Sequence, residues 1–449
     1  MGLIAVFGMG QYELAMFAIF IGMLSGLLFF HHHKNMVVAI GFALMSLLFI
    51  SMKPEDAGIA HWAEHFLEPH RLHLLIDLAL LIPAFALVAH YFEHSGASHG
   101  LAHILRSDLA LLWTVFCLSI GLDNIAAALI GATILLAKYG KDAPFRMIVG
   151  IIGASNLGGA GSPVGDTTTV MMYISKDPKV PALELFMAFA ASIPAMVALG
   201  FWAVRHGMKP QSYGPGAGPK GDVIEEKDVL RKAAHSDIPE AVALADLAKG
   251  DTSVRWKDMW PLLAIPGLIG GNILGGMPGV GVWVGLLAGL FIARIAFKRK
   301  VFMEAIPNML FLVTLVGAAE MLPLYAVKDD LERIPAILGL SPRDVVAVLM
   351  GKLSPWFDNI PLTAICLQLK GFDWGLLAYC VGFGGSAMWF GSSAGVAIGL
   401  IFPQTYNTKK WLVPFFVITG AYWVGVISYE VLAPHIAPLM IRDFVGQGS

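Results

Sequence analysis

Charge is scarce in this chain. Of its 449 residues only 14% are Asp, Glu, Lys or Arg, while 57% are hydrophobic; a soluble domain averages about 25% charged residues. With a mean hydropathy of +0.71, that deficit excludes an ordinary soluble enzyme and predicts a polytopic membrane protein. Cysteine is nearly missing too. Cys117, Cys366 and Cys380 all lie in apolar segments and read as inert buried thiols, not as a disulfide framework. No basic run offers a nucleic-acid surface, and the formal net charge is -2. The N-terminus lacks a basic region followed by a cleavage site, so no removable signal peptide is expected. Val6 stands where a myristoylation motif needs Ser or Thr.

What is present is duplication. Asp123-Asn124-Ile125 and Asp358-Asn359-Ile360 each sit inside an apolar stretch, where a carboxylate is costly and therefore marks function or a partner. Each triplet is followed by a run of small residues, Ser155 to Gly165 and Gly384 to Gly395. Spans of roughly 17–25 apolar residues fall near 13–30, 36–52, 72–92 and 182–205, and again near 258–276, 279–297, 302–327 and 411–433. Between them lie stretches 106–138 and 343–371, interrupted at the Asp-Asn pairs, and spans 144–174 and 372–403, broken by glycines and Pro163. Read as re-entrant hairpins, the interrupted stretches leave five crossings per half. Five is odd, so the second half starts from the opposite side. The expected architecture is all-α: residues 1–206 and 257–449 form an inverted-topology repeat, each half with one hairpin and one broken helix. A polar linker, 207–256, joins them. The side richer in Lys and Arg also carries the linker and is placed in the cytoplasm, which puts both termini outside.

A hairpin tip or helix break at membrane depth leaves backbone groups without helical partners, tolerated only beside protein or a water-filled cavity. Such groups, with Asp, Asn and hydroxyl oxygens, suit a hard cation. Burial disfavours a charged carboxylate, so a proton and a small cation compete for one site. The candidate cation- and proton-binding residues are Asp123, Asn124, Ser155, Asn156, Asp166, Thr167, Thr168, Asp358, Asn359, Ser386 and Ser392, with Asp123 and Asp166 as the Na⁺ ligands. Helix capping by the acids is compatible with that role. Setting Asn156 opposite Ser386 places Asp166 opposite Val396, so the second copy lacks that carboxylate. Asp77 and Glu320 are further intramembrane acids, read as proton relays, as members of buried pairs with Lys or His, or as residues near the membrane interface. His61 and His65 are spaced for metal chelation but lie in peripheral segments and read as interfacial; the histidines could also sense pH. Gly391-Ser392-Ser393-Ala394-Gly395 matches a hydrolase nucleophile motif, but that motif needs a strand before its turn. No enzyme activity and no resident cofactor are expected.

At Asp123-Asn124, Ser155-Asn156-Leu157-Gly158-Gly159, Ser162-Pro163-Val164-Gly165-Asp166 and Asp358-Asn359-Ile360-Pro361-Leu362 the chain resembles the ion transporter superfamily, most of all its NhaD-type Na⁺/H⁺ antiporters. The resemblance implies Na⁺ or Li⁺ exchange for H⁺ across the inner membrane, a homodimer, and a hairpin-bearing part that moves against a fixed scaffold. Superfamily members that carry carboxylates bear Ser-Asn-Thr at the hairpin tips. Asp-Asn-Ile here favours a cation, leaving a Na⁺- or H⁺-coupled anion carrier as the alternative. The His-rich first third and the long linker are not matched by the antiporters.

Overall fold

A computed structural model describes residues 10–30, 33–52, 58–93, 107–175, 177–207, 267, 278–326, 340–357 and 359–445. Asp358, most of the expected linker and nearly all of the expected span 258–276 lie outside them. Among the described residues the regular elements are all helical. In the first half these are α1 (Gln11–Phe29), α2 (Lys34–Met52), α3 (Ile59–Leu67), α4 (Pro69–Glu93), α5 (Asp108–Gly121), α6 (Asn124–Tyr139), α7 (Phe145–Ala160), α8 (Thr167–Ile174), α9 (Ala182–Phe186) and α10 (Phe189–Ala203). In the second half they are α11 (Pro278–Ala293), α12 (Arg299–Glu320), α13 (Pro342–Leu353), α14 (Asn359–Leu369), α15 (Trp374–Gly384), α16 (Ser393–Ile401) and α17 (Leu412–Val445). Among the described residues, five stretches are long and apolar enough to cross a membrane: 34–51, 69–88, 182–203, 299–320 and 408–436. The protein is an all-α polytopic membrane protein.

The interrupted stretches fold as helix pairs. Arms α5 and α6 have 14 and 16 residues, and α13 and α14 have 12 and 11. At about 1.5 Å per residue none reaches the roughly 30 Å of a bilayer core. The sequence supplies each restart. Asp123 accepts a hydrogen bond from Ile125 N at 3.1 Å and starts α6. Asp166 accepts from Thr168 N and starts α8; Ser392 accepts from Gly395 N and starts α16. A side-chain oxygen there satisfies one of the helix's orphan amides. Pro163, with no N–H, lies in the first break.

Packing sorts the helices into two groups. α4 lies against α11 and α12, and α2 against α1 and α12. The second group holds both hairpins, both broken helices, α10 and α17. Within it the halves exchange partners: α6 packs on α16 while α14 packs on α8, and α7 meets α15 as α10 meets α17. The first group exchanges likewise, with α2 on α12 and α11 on α4. Elements of the first half thus meet elements of the second in reciprocal pairs.

The contacts at the two breaks match in a register that differs from the expected one. A Cβ on Gly158 would lie 2.1 Å from Phe116 O, and one on Gly384 would lie 2.0 Å from Gly351 O. A Cβ on Gly159 would meet Gly165 O at 2.5 Å, and one on Gly385 would meet Gly391 O at 2.3 Å. Ser119 Oγ donates to Ser155 O, and Ser354 Oγ to Val381 O. All of these match Gly158 with Gly384 and Asp166 with Ser392. Asp166 therefore corresponds to Ser392 rather than to Val396, and Ser386 to Ala160 rather than to Asn156. The two registers differ by four residues, about one helical turn, and runs of small residues look alike after a one-turn slip.

Candidate functional site

The tip of the first hairpin and the first break meet in a buried polar chain. Asn124 Nδ2 donates to Asp166 Oδ2 at 2.8 Å and to Asn156 Oδ1 at 3.0 Å. Asn156 Nδ2 donates to Ser386 Oγ at 2.8 Å, carrying the chain into the second half. Asp166 Oδ1 accepts from Thr168 N and Thr168 Oγ1, each at 2.8 Å. Asn124, Asn156, Asp166, Thr168 and Ser386 are all buried. Buried polar groups persist only when hydrogen-bonded, and this chain links the first hairpin tip and both broken helices.

Asp123 is placed differently. It is half-buried and lines a small cleft with Leu78, Leu81 and Ile82 of α4 and with Val164, Thr167 and Val170. The cleft lies on the seam between the two helix groups, with an apolar wall on the α4 side. The structure thus brings together Asn124, Asn156, Asp166, Thr168 and Ser386, and separately Asp123 and Thr167. Ser155 donates to Ile152 O within its own helix. Ser392 caps α16. Asn359 is buried at the start of α14, where its carbonyl accepts from Thr363.

Sequence reasoning passed over the serines that hold break to tip. Ser119 Oγ donates to Ser155 O and Ser162 Oγ to Ile120 O, each at 2.6 Å. The signal was present for Ser119, since Ser354 stands equally far before its own Asp-Asn pair. The other buried acids have named partners. Glu320 accepts from Arg71 Nε at 3.1 Å, and Asp77 Oδ1 accepts from Gly279 N at the start of α11, where a helix dipole favours negative charge. His61 stacks on Phe49 and His65 lies tilted against it, with ring centroids 5.5 and 5.0 Å away.

No family model matches the chain. Two curated relatives from Arabidopsis thaliana do match. Sodium/proton antiporter 1 is 26% identical over 322 residues, covering 65% of this chain and 50% of the relative. Sodium/proton antiporter 2 is 23% identical over 364 residues, 74% of this chain and 79% of the relative.

The chain is similar to sodium/proton antiporters.

That likeness agrees with the resemblance read from the motifs, and the match spans half the length of the first of these relatives. Among solved structures the YdaH transporter of Alcanivorax borkumensis aligns with a TM-score of 0.42 and 13% identity, over 89% of this chain and 98% of that one.

Proposed function

We propose that this chain is a secondary transporter that exchanges Na⁺ or Li⁺ for H⁺ across the inner membrane. The observation that carries the reading is the Asp123 carboxylate, half-buried beside Thr167 on the seam where the two helix groups meet. A carboxylate at such a seam can hold a small cation or a proton, one at a time, which suffices for exchange when access alternates. The names of the two relatives support the choice of ions. In this reading residues 1–206 and 257–449 are inverted repeats with both termini outside. The group with both hairpins and broken helices slides as an elevator along α4 and α12, and the resemblance supplies the homodimer. The ligand set is Asp123, Asn124 and Thr167, supported by the polar residues around the first break and completed by Asp358 and Asn359.

Exchange is tested in proteoliposomes carrying an internal pH dye. Addition of Na⁺ or Li⁺ should move protons in the wild type, and Asp123→Asn should abolish the response while the protein still folds. A silent wild type from mildly acidic to mildly alkaline pH refutes the reading. An anion carrier would instead take up labelled dicarboxylate. Among the described residues no Arg or Lys joins the polar chain from Asp166 to Ser386, which counts against it.

A further inference from the structure

We propose that Asp166 is a positioning residue, acting on the cation through Asn124 rather than ligating it directly. This deepens the exchange reading and rests on it.

Ser392 occupies the same cap position in the second break and starts its helix with a hydroxyl alone. Capping therefore does not require the carboxylate at Asp166. The added oxygen, Oδ2, meets Asn124 Nδ2 at 2.8 Å, while Oδ1 serves Thr168. An ionised carboxylate only accepts, so the amide edge facing it must be the NH₂ group. That NH₂ also reaches Asn156 Oδ1, which turns the Asn156 NH₂ toward Ser386 Oγ. One charge thereby fixes two amides that could otherwise flip.

The consequence falls on the other end of Asn124. Asn124 is 5% exposed, and among the described residues its hydrogen bonds run through Nδ2, with no donor to its Oδ1. Both of its N–H bonds are used inward, so the carbonyl oxygen stays unclaimed, one residue from the cleft-lining Asp123. A neutral carbonyl dipole beside a carboxylate is a ligand pair that a Na⁺-sized ion accepts. Asp166 itself has three of its roughly four acceptor positions filled by protein donors.

The test is a double-mutant cycle on the purified full-length transporter. Na⁺ and Li⁺ binding is read from ion-induced thermal stabilisation, and exchange from proteoliposomes. Asp166→Ser, which keeps the cap, should raise the Na⁺ KM about tenfold with little change in maximal rate. Asn124→Ser should weaken Na⁺ similarly, and Asp166→Ser added to it should cost little more, because the route through Asn124 is already cut. Asn124→Leu replaces it should the serine variant not fold. Additive losses in the double variant overturn the proposal, as does an Asp166→Ser protein that folds but binds no ion while the Asn124 variant still does. A wild type with neither ion binding nor exchange fails the exchange reading itself, which separates the two failures.

Discussion

At the first break the helix restarts at Asp166; at the second it restarts at Ser392. Both side chains accept from an amide of the following turn. Both breaks bring a glycine against a hairpin carbonyl, Gly158 on Phe116 and Gly384 on Gly351. In both, a serine four residues before an Asp-Asn pair ties the hairpin to the broken helix. The chemistry diverges where the backbone does not. The first break carries a carboxylate bonded to Asn124. The second carries Trp389 and Phe390, with ring centroids 5.2 Å apart. Backbone shape is thus a property of both halves, and buried charge at the break is a property of one.

The sharpest way to break this comparison is to add a methyl group at the shared contact. Gly158→Ala and Gly384→Ala should each destabilise by about 3 kcal/mol or more, because overpacking against a backbone carbonyl cannot be relieved by a rotamer change. Gly420→Ala, with open space around its Cβ, should be neutral or stabilising by up to about 1 kcal/mol. Melting in detergent reads all three. A large loss in one half only would show that the two breaks are not packed alike.

Smaller losses are expected at the serines. Ser119→Ala and Ser354→Ala should each cost about 1–2 kcal/mol, the usual range for a buried hydrogen bond lost to a carbonyl. Ser392→Ala should cost about 1 kcal/mol as a lost cap and leave the Na⁺ KM unchanged, in contrast to Asp166→Ser. A Ser392 variant that shifts Na⁺ affinity as far as the Asp166 variant does would erase the chemical distinction between the breaks.

Much of the arrangement was legible in the sequence because membrane depth is unforgiving. Asp123-Asn124 and the run from Ser155 to Gly165 interrupt apolar stretches, and only a helix end or a break accommodates them there. The register between the halves was not legible. Gly158-Gly159 and Gly161 alternate with small residues, and a one-turn slip preserves the pattern; the matching glycine and serine contacts of each break with its hairpin fix it. Partner choice was invisible for a different reason. Arg71 and Glu320 are 249 positions apart, and Asn156 and Ser386 are 230 apart. Nothing local at either end names the other. Likewise Asp123 and Asp166 read as one site, yet the fold points the first at a cleft and wraps the second in donors.

The smallest effect concerns an ion pair across the halves, outside the spans. Lys370 Nζ donates to Asp177 Oδ2 at 2.5 Å, with half of each side chain exposed. The Lys370 hydrogen bond holds the Asp177 carboxylate below the usual range. A depressed folded pKa means stability that is present above the unfolded value of about 3.9 and lost as pH falls through the folded one. Exposure and salt screen the pair, so Asp177→Asn should cost well under about 1 kcal/mol, and less still at high ionic strength. The check is a melting curve at neutral pH in low and high salt, then at a pH below the Asp range. The difference between wild type and Asp177→Asn should shrink with salt and vanish in acid. A difference that grows on acidification would mean that the carboxylate is destabilising where it sits, and that this contact between the halves is held by the packing around it rather than by charge.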